Sequence, residues 1–221
     1  MSGRLPQLQL LIFDWDGTLA DSTGAIVRHM QDMIVALDLP SRTDQQIVEL
    51  IGIDFRQGLR QLYPQADIDQ LLARIMEYRR GKPAAGEPDV ALFAGAISAL
   101  RRLRSAGYQL AIATGKTRRS LDQALRMSPE VEQMMCGSRT ADETAAKPDP
   151  LMLAELLASS RLHPEQALMV GDTDYDAQMA RQLGMPMVGV SRGAHDGARI
   201  RQGGAMALIE TVAELPAWLG H

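Results

Sequence analysis

The chain has 221 residues, a formal net charge of −4 and one cysteine, Cys136. That length fits one domain, or one domain carrying a sizeable insertion, and buries enough core to need no disulfide staples; a lone cysteine excludes an internal disulfide and a cysteine metal cluster. No apolar run approaches a membrane span, the N-terminus lacks a signal-peptide pattern, and mild acidity argues against a broad nucleic-acid footprint, so the expectation is a cytoplasmic protein with no nucleic-acid and no membrane partner.

Residues 8–14, L-Q-L-L-I-F-D, read as a short buried strand ended by turn formers. A long stretch with little strand character follows. Ile26, Met30, Met33, Ile34 and Leu37 recur at helical spacing. Thr43 and Gln46 form a capping-box pattern ahead of Ile47, Leu50 and Ile51. Phe55, Leu59 and Leu62 predict a third helix, and Asp67 is placed to cap a fourth carrying Ile68, Leu71, Leu72 and Ile75. G-K-P-A-A-G-E-P, residues 81–88, breaks the pattern as a loop or hinge.

From residue 94 strands and helices alternate. A helix ends near Gly107, a C-cap glycine. Q-L-A-I-A is a strand, T-G-K-T a turn before a helix, M-M-C-G a weak strand, and Pro150–Ser160 a helix. A-L-M-V is a strand, G-D-T-D-Y-D opens a helix running to Gly184, and P-M-V-G-V and A-M-A-L-I-E are the last strands. This alternation predicts an α/β fold with right-handed crossovers and a mostly parallel sheet, whose ligands bind at the carboxyl ends of the strands.

That rule gathers one set of residues. Asp14 and Asp16 follow the first strand, Thr114 the second, and Asp172 and Asp176 follow A-L-M-V, while Lys147 lies within reach of the same rim. Each has a structural reading: Asp16-Gly17 is an ordinary turn dipeptide, Thr114 and Asp172 are placed to cap helices, Asp174 is read as a cap, and Lys147 fits a solvated loop. Together they form one chemistry. Carboxylates at one rim repel unless a cation sits among them, and an all-oxygen set with few protein donors suits Mg²⁺. A threonine hydroxyl and a lysine ammonium donate to an anion such as phosphate. One carboxylate can attack phosphorus, and one two residues on can protonate the leaving oxygen and then deprotonate water.

D-W-D-G-T-L (14–19), Thr114 in I-A-T-G-K, Lys147 in A-K-P-D-P and G-D-T-D-Y-D (171–176) resemble, in order and approximate spacing, the four motifs of the haloacid dehalogenase superfamily of phosphatases. The resemblance implies a Rossmann-like parallel-sheet core, residues 1–20 and 86–221, with an inserted α-helical cap domain, residues 21–85, similar to the phosphoglycolate phosphatase and β-phosphoglucomutase branch. It implies a Mg²⁺-dependent phosphatase acting on a small phosphorylated metabolite through an aspartyl-phosphate. Asp14 would be nucleophile and metal ligand, and Asp16 acid/base with its carbonyl on the metal. Thr114 and the Gly115 amide would bind the phosphoryl group, Lys147 would offset charge, and Asp172 and Asp176 would hold the metal.

Departures from the commonest pattern are Trp15, where an aliphatic residue is frequent, and Gly-Lys-Thr after Thr114, where many members carry asparagine. Lys116 and Arg118 are candidates for substrate anions or for a solvated helical turn, and Arg192 or His195, after P-M-V-G-V, are weaker candidates to face the site. Arg56, Arg60, Arg79 and Arg80 are insertion cations that fit surface pairing better than a ligand. A nucleotide P-loop is excluded because its first glycine would fall at Leu110, inside a strand. A receiver domain shares the acidic set but lacks the second aspartate and the helical insertion. A carbon-attacking dehalogenase needs no Mg²⁺. A phosphosugar mutase of the same superfamily stays open, as does the oligomeric state.

Overall fold

The structure, a computed structural model, describes residues 8–81 and 90–221. The chain starts in β1 (Leu10–Phe13), buried throughout. Four helices follow: α1 (Thr23–Ala36), α2 (Asp44–Val48), α3 (Phe55–Leu62) and α4 (Ile68–Gly81). The capping signals act as their sequence predicts. Thr43 Oγ1 accepts from the Gln46 amide at 3.2 Å while Gln46 Oε1 accepts from the Thr43 amide at 3.0 Å. Asp67 Oδ1 accepts from the amides of Asp69 and Gln70 at 3.0 and 3.1 Å. The four helices enclose their own apolar cluster around Met33, Ile47, Leu59, Leu71 and Ile75. Beyond Gly81, the hinge expected at 81–88 and the boundary at 85/86 lie outside the described residues.

The rest alternates. α5 (Ala96–Ser105) leads to β2 (Gln109–Thr114), α6 (Arg118–Met127), α7 (Pro129–Met134) and β3 (Met135–Thr140). α8 (Leu151–Ser160), β4 (Ala167–Gly171), α9 (Asp174–Gln182), β5 (Met187–Val190), α10 (Gly197–Gly203), β6 (Ala207–Ile209) and α11 (Leu215–Trp218) complete the chain. Gly107 follows α5 with φ +98°, the left-handed residue expected at a helix C-terminus. The short helices α7, α10 and α11 were not foreseen, and the weak strand at M-M-C-G extends to Thr140.

The six strands lie in the order β3-β2-β1-β4-β5-β6, with every neighbouring pair parallel. Strand alternation splits the core in two. Leu11, Phe13, Ile112 and Val170 pack on one face with Leu100, Leu121 and Leu215. Leu10, Ile12, Ala113 and Met169 pack on the other with Leu153, Leu156 and Ile200. The chain reverses direction across the sheet between β1 and β4, so their carboxyl ends border the crevice where open parallel sheets bind ligands.

Candidate active site

Asp14 leaves β1 with its amide still on the ladder, donating to Val170 O at 2.9 Å. Alternation turns Trp15 down into the core and leaves Asp14 and Asp16 on the crevice side. The chain then folds back: the Leu19 and Ala20 amides both donate to Trp15 O, at 3.0 and 2.9 Å. Gly17 holds the turn at φ +75°, and a Cβ there would lie 2.1 Å from Asp172 Oδ2, so only glycine lets the two segments close. Thr18 Oγ1 donates to Asp172 Oδ1 at 2.8 Å. The stretch D-W-D-G-T thus places one carboxylate, buries an anchor, places a second carboxylate and clamps a third.

Asp172 follows β4 and is fully buried, its other oxygen accepting from the Ala194 amide at 2.7 Å. Neither Asp172 nor Asp174 caps α9. Thr173 does, with Asp176 closing the capping box: Asp176 Oδ2 accepts from Thr173 Oγ1 at 2.6 Å and from its amide at 3.1 Å. Asp176 Oδ1 faces Lys147 Nζ at 2.7 Å, and Asp14 Oδ1 faces the same nitrogen at 2.8 Å. Lys147 is fully buried, so the solvated-loop reading is set aside.

One oxygen each from Asp14, Asp172 and Asp176 lies within 4.8 Å of the others. Three buried carboxylates around one buried ammonium leave excess negative charge, and the pKa shifts record it. Burial pushes Asp14 up to about 7, opposed by Lys147 and reinforced by Asp176. Burial also lifts Asp172 well above the carboxylate range, with Asp14 and Asp176 adding to it. For Lys147, burial disfavours the charge but Asp14 and Asp176 together outweigh it and raise the pKa. Asp14 Oδ2 is buried and accepts no hydrogen bond. An unsatisfied oxygen in an all-oxygen cluster with surplus negative charge fits a small hard divalent cation.

Thr114 ends β2, almost fully buried. It is not the N-cap of α6; that is Thr117, whose side chain accepts from the Ser120 amide at 3.2 Å. Thr114 Oγ1 instead accepts from the Lys116 amide at 3.2 Å, which leaves its hydroxyl hydrogen for an acceptor in the crevice. Lys116 turns onto Asp16, Nζ to Oδ2 at 3.1 Å. Arg118 is committed elsewhere, to Glu143 at 2.6 Å and Asp122 at 3.3 Å. Arg192 is exposed and faces Glu210. His195 is buried behind Asp174, 2.9 Å from its Oδ1, and burial lowers its pKa against the pull of Asp174. Neither Arg192 nor His195 joins the acidic cluster. The Asp172 clamp by Thr18 and the Ala194 amide was not singled out from sequence, although both flank motifs at strand ends.

A parallel α/β sheet with an aspartate cluster, a buried lysine and a second aspartate two residues past the first at its switch point fits a phosphate-handling hydrolase. The model of the haloacid dehalogenase-like hydrolase family matches residues 11–190, and the chain belongs to that family. It is 30% identical over 215 residues to the "Probable phosphatase IndB" of Dickeya dadantii, covering 93% of this chain and 91% of that protein. It is also 30% identical over 202 residues to the phosphoglycolate phosphatase of Agrobacterium fabrum, 86% of this chain and 84% of the relative. A solved haloacid dehalogenase-like hydrolase from Streptococcus pneumoniae superposes with a TM-score of 0.80 at 24% identity, over 96% of this chain and 99% of that one, a likeness of fold. Among the described residues, no helix is long and apolar enough to cross a membrane.

Proposed function

We propose that the chain is a Mg²⁺-dependent phosphatase that hydrolyses a small organic phosphate monoester through an aspartyl-phosphate on Asp14. The observation carrying this reading is the unsatisfied, buried Asp14 Oδ2 beside Lys147 and two further carboxylates. The Asp14 carboxylate attacks phosphorus as the bond to the ester oxygen breaks, and Asp16 gives that oxygen its proton. Asp16 then takes a proton from water, whose oxygen attacks phosphorus and frees Asp14 as phosphate leaves. Thr114 and the Gly115 amide hold the transferring group, and Lys147 offsets its charge and that of Asp14. Asp14, the Asp16 carbonyl and Asp172, with Asp176 directly or through water, would hold Mg²⁺, which when bound would neutralise charge on the phosphoryl oxygens. Lys116 orients Asp16.

In this reading residues 1–20 and 86–221 are the catalytic core and the insertion at 21–85 is a cap that excludes water and selects the alcohol. A cytoplasmic setting fits a metabolite substrate. The phosphoglycolate phosphatase among the relatives makes a two-carbon acid phosphate the first substrate to try. The test is acid quench during turnover with Mg²⁺. A hydroxylamine-sensitive phosphoryl group on residue 14 supports the mechanism, and one mapped to another residue refutes it. Discharge to a sugar phosphate in place of water would make the enzyme a mutase.

A further inference from the structure

The helical insertion touches the core beside the acidic cluster through a built contact. Tyr175 Oη donates to Glu49 O at 3.0 Å, and the Arg199 guanidinium pairs with the Glu49 carboxylate. Arg199 is braced from behind: its Nε lies 3.1 Å from Asp174 Oδ2, and its guanidinium carbon is 5.7 Å from the centre of the Tyr175 ring. His195 in turn steadies Asp174. Three residues past Glu49 the insertion backbone meets the phosphate-binding turn. A Cβ on Gly115 would lie 2.6 Å from Gly52 O, and one on Gly52, at φ +99°, would lie 3.0 Å from the Thr173 methyl. Gly115 lets its backbone meet that of Gly52, and Gly52 admits the Thr173 side chain, where added side chains would hold the two parts apart. This gives the departure at position 115, glycine where asparagine is frequent, a physical role.

We propose that Tyr175 and Arg199 are positioning residues that clasp Glu49 and so seat the 49–53 segment against Gly115, closing that flank of the site. They touch no reacting atom. Asp174 and Tyr175 stand between Asp172 and Asp176 in the first turn of α9, so the clasp is built on the turn that carries the carboxylates. Docking therefore ties the insertion to that turn through Tyr175, with Arg199 reaching Glu49 from α10 and braced on Asp174 of the same turn. The catalytic consequence rests on the phosphatase reading above; the docking itself does not.

The experiment pairs hydrogen–deuterium exchange at residues 50–53 with steady-state kinetics, on the full chain with Mg²⁺ and inorganic phosphate for exchange. Tyr175→Phe keeps the ring and removes one donor; Arg199→Met removes the charge; Arg199→Lys restores it. Tyr175→Phe and Arg199→Met should each speed exchange and lower kcat roughly three- to tenfold with KM moving less, the scale of one hydrogen bond or one partly exposed ion pair. Arg199→Lys should recover part of the loss. High salt should shrink the Arg199→Met effect and leave Tyr175→Phe unchanged. Unchanged exchange in both variants overturns the docking. Faster exchange with unaltered kcat overturns the positioning role. If the wild type releases no phosphate, exchange still decides the docking and the failure falls on the functional reading alone.

Discussion

Asp14→Asn should stabilise the metal-free protein while removing its chemistry. The Asp14 carboxyl is 1% exposed, and burial beside Asp176 raises its pKa from 3.8 to about 7 in spite of Lys147. The sign follows from proton binding. Below the unfolded value the group is protonated in both states and costs nothing. As pH rises, the unfolded chain ionises first while the folded chain keeps its proton, so wild-type stability falls until the folded pKa is passed and is then level. A shift from 3.8 to about 7 corresponds to on the order of 4 kcal/mol. Asparagine has the size of the carboxyl and never ionises, so it escapes this cost. For a chain of this length each kcal/mol moves Tm by about 2–4 °C, so the variant should melt roughly 10 °C above wild type near pH 8 and level with it near pH 4. The assay is thermal unfolding of both proteins in chelator across that range. Saturating Mg²⁺ near neutral pH should then raise the wild type more than the variant. A Tm difference that does not grow with pH, or a variant less stable throughout, would refute the electrostatic reasoning.

Other changes act on the same cluster. Lys147→Met leaves Asp14 and Asp176 buried without their shared counter-ion; it should cost about 3–5 kcal/mol by chemical denaturation, with part of the loss recovered by Mg²⁺. Thr114→Val keeps the shape at the end of β2 but removes the hydroxyl that the proposed mechanism sets against the transferring group; kcat should fall about 10²-fold while Tm stays within a few degrees. Gly17→Ala puts a methyl against the Asp172 carboxylate in a left-handed turn; the Mg²⁺ concentration for half-maximal activity should rise, and unchanged metal dependence would count against the clamp. Asp172→Asn should likewise raise the Mg²⁺ requirement or abolish activity, read from a metal titration of rate.

The crevice was legible because Asp14, Thr114 and Asp172 each end an apolar run. L-L-I-F before Asp14 and A-L-M-V before Asp172 are two buried strands, and parallel topology brings their ends together. The capping of α9 was misread, although Thr173 followed three positions later by Asp176 repeats the Thr43–Gln46 pattern with a carboxylate in the closing place. Asp176 serves Lys147 and the helix end at once, which a one-role assignment misses. Thr114 lies within β2, so its side chain faces the crevice, and capping passes to Thr117. The helices α7 and α10 span 6 and 7 residues, too few turns for a periodic signal. Glu49 and Tyr175 are 126 positions apart, and nothing local in either segment announces the other.

Phosphate release from a panel of small phosphomonoesters, with and without Mg²⁺, for wild type and Asp14→Asn tests the central claim most directly. The account predicts release by the wild type that requires the metal and disappears in the variant. Metal-independent release, or release by Asp14→Asn at the wild-type rate, would contradict it.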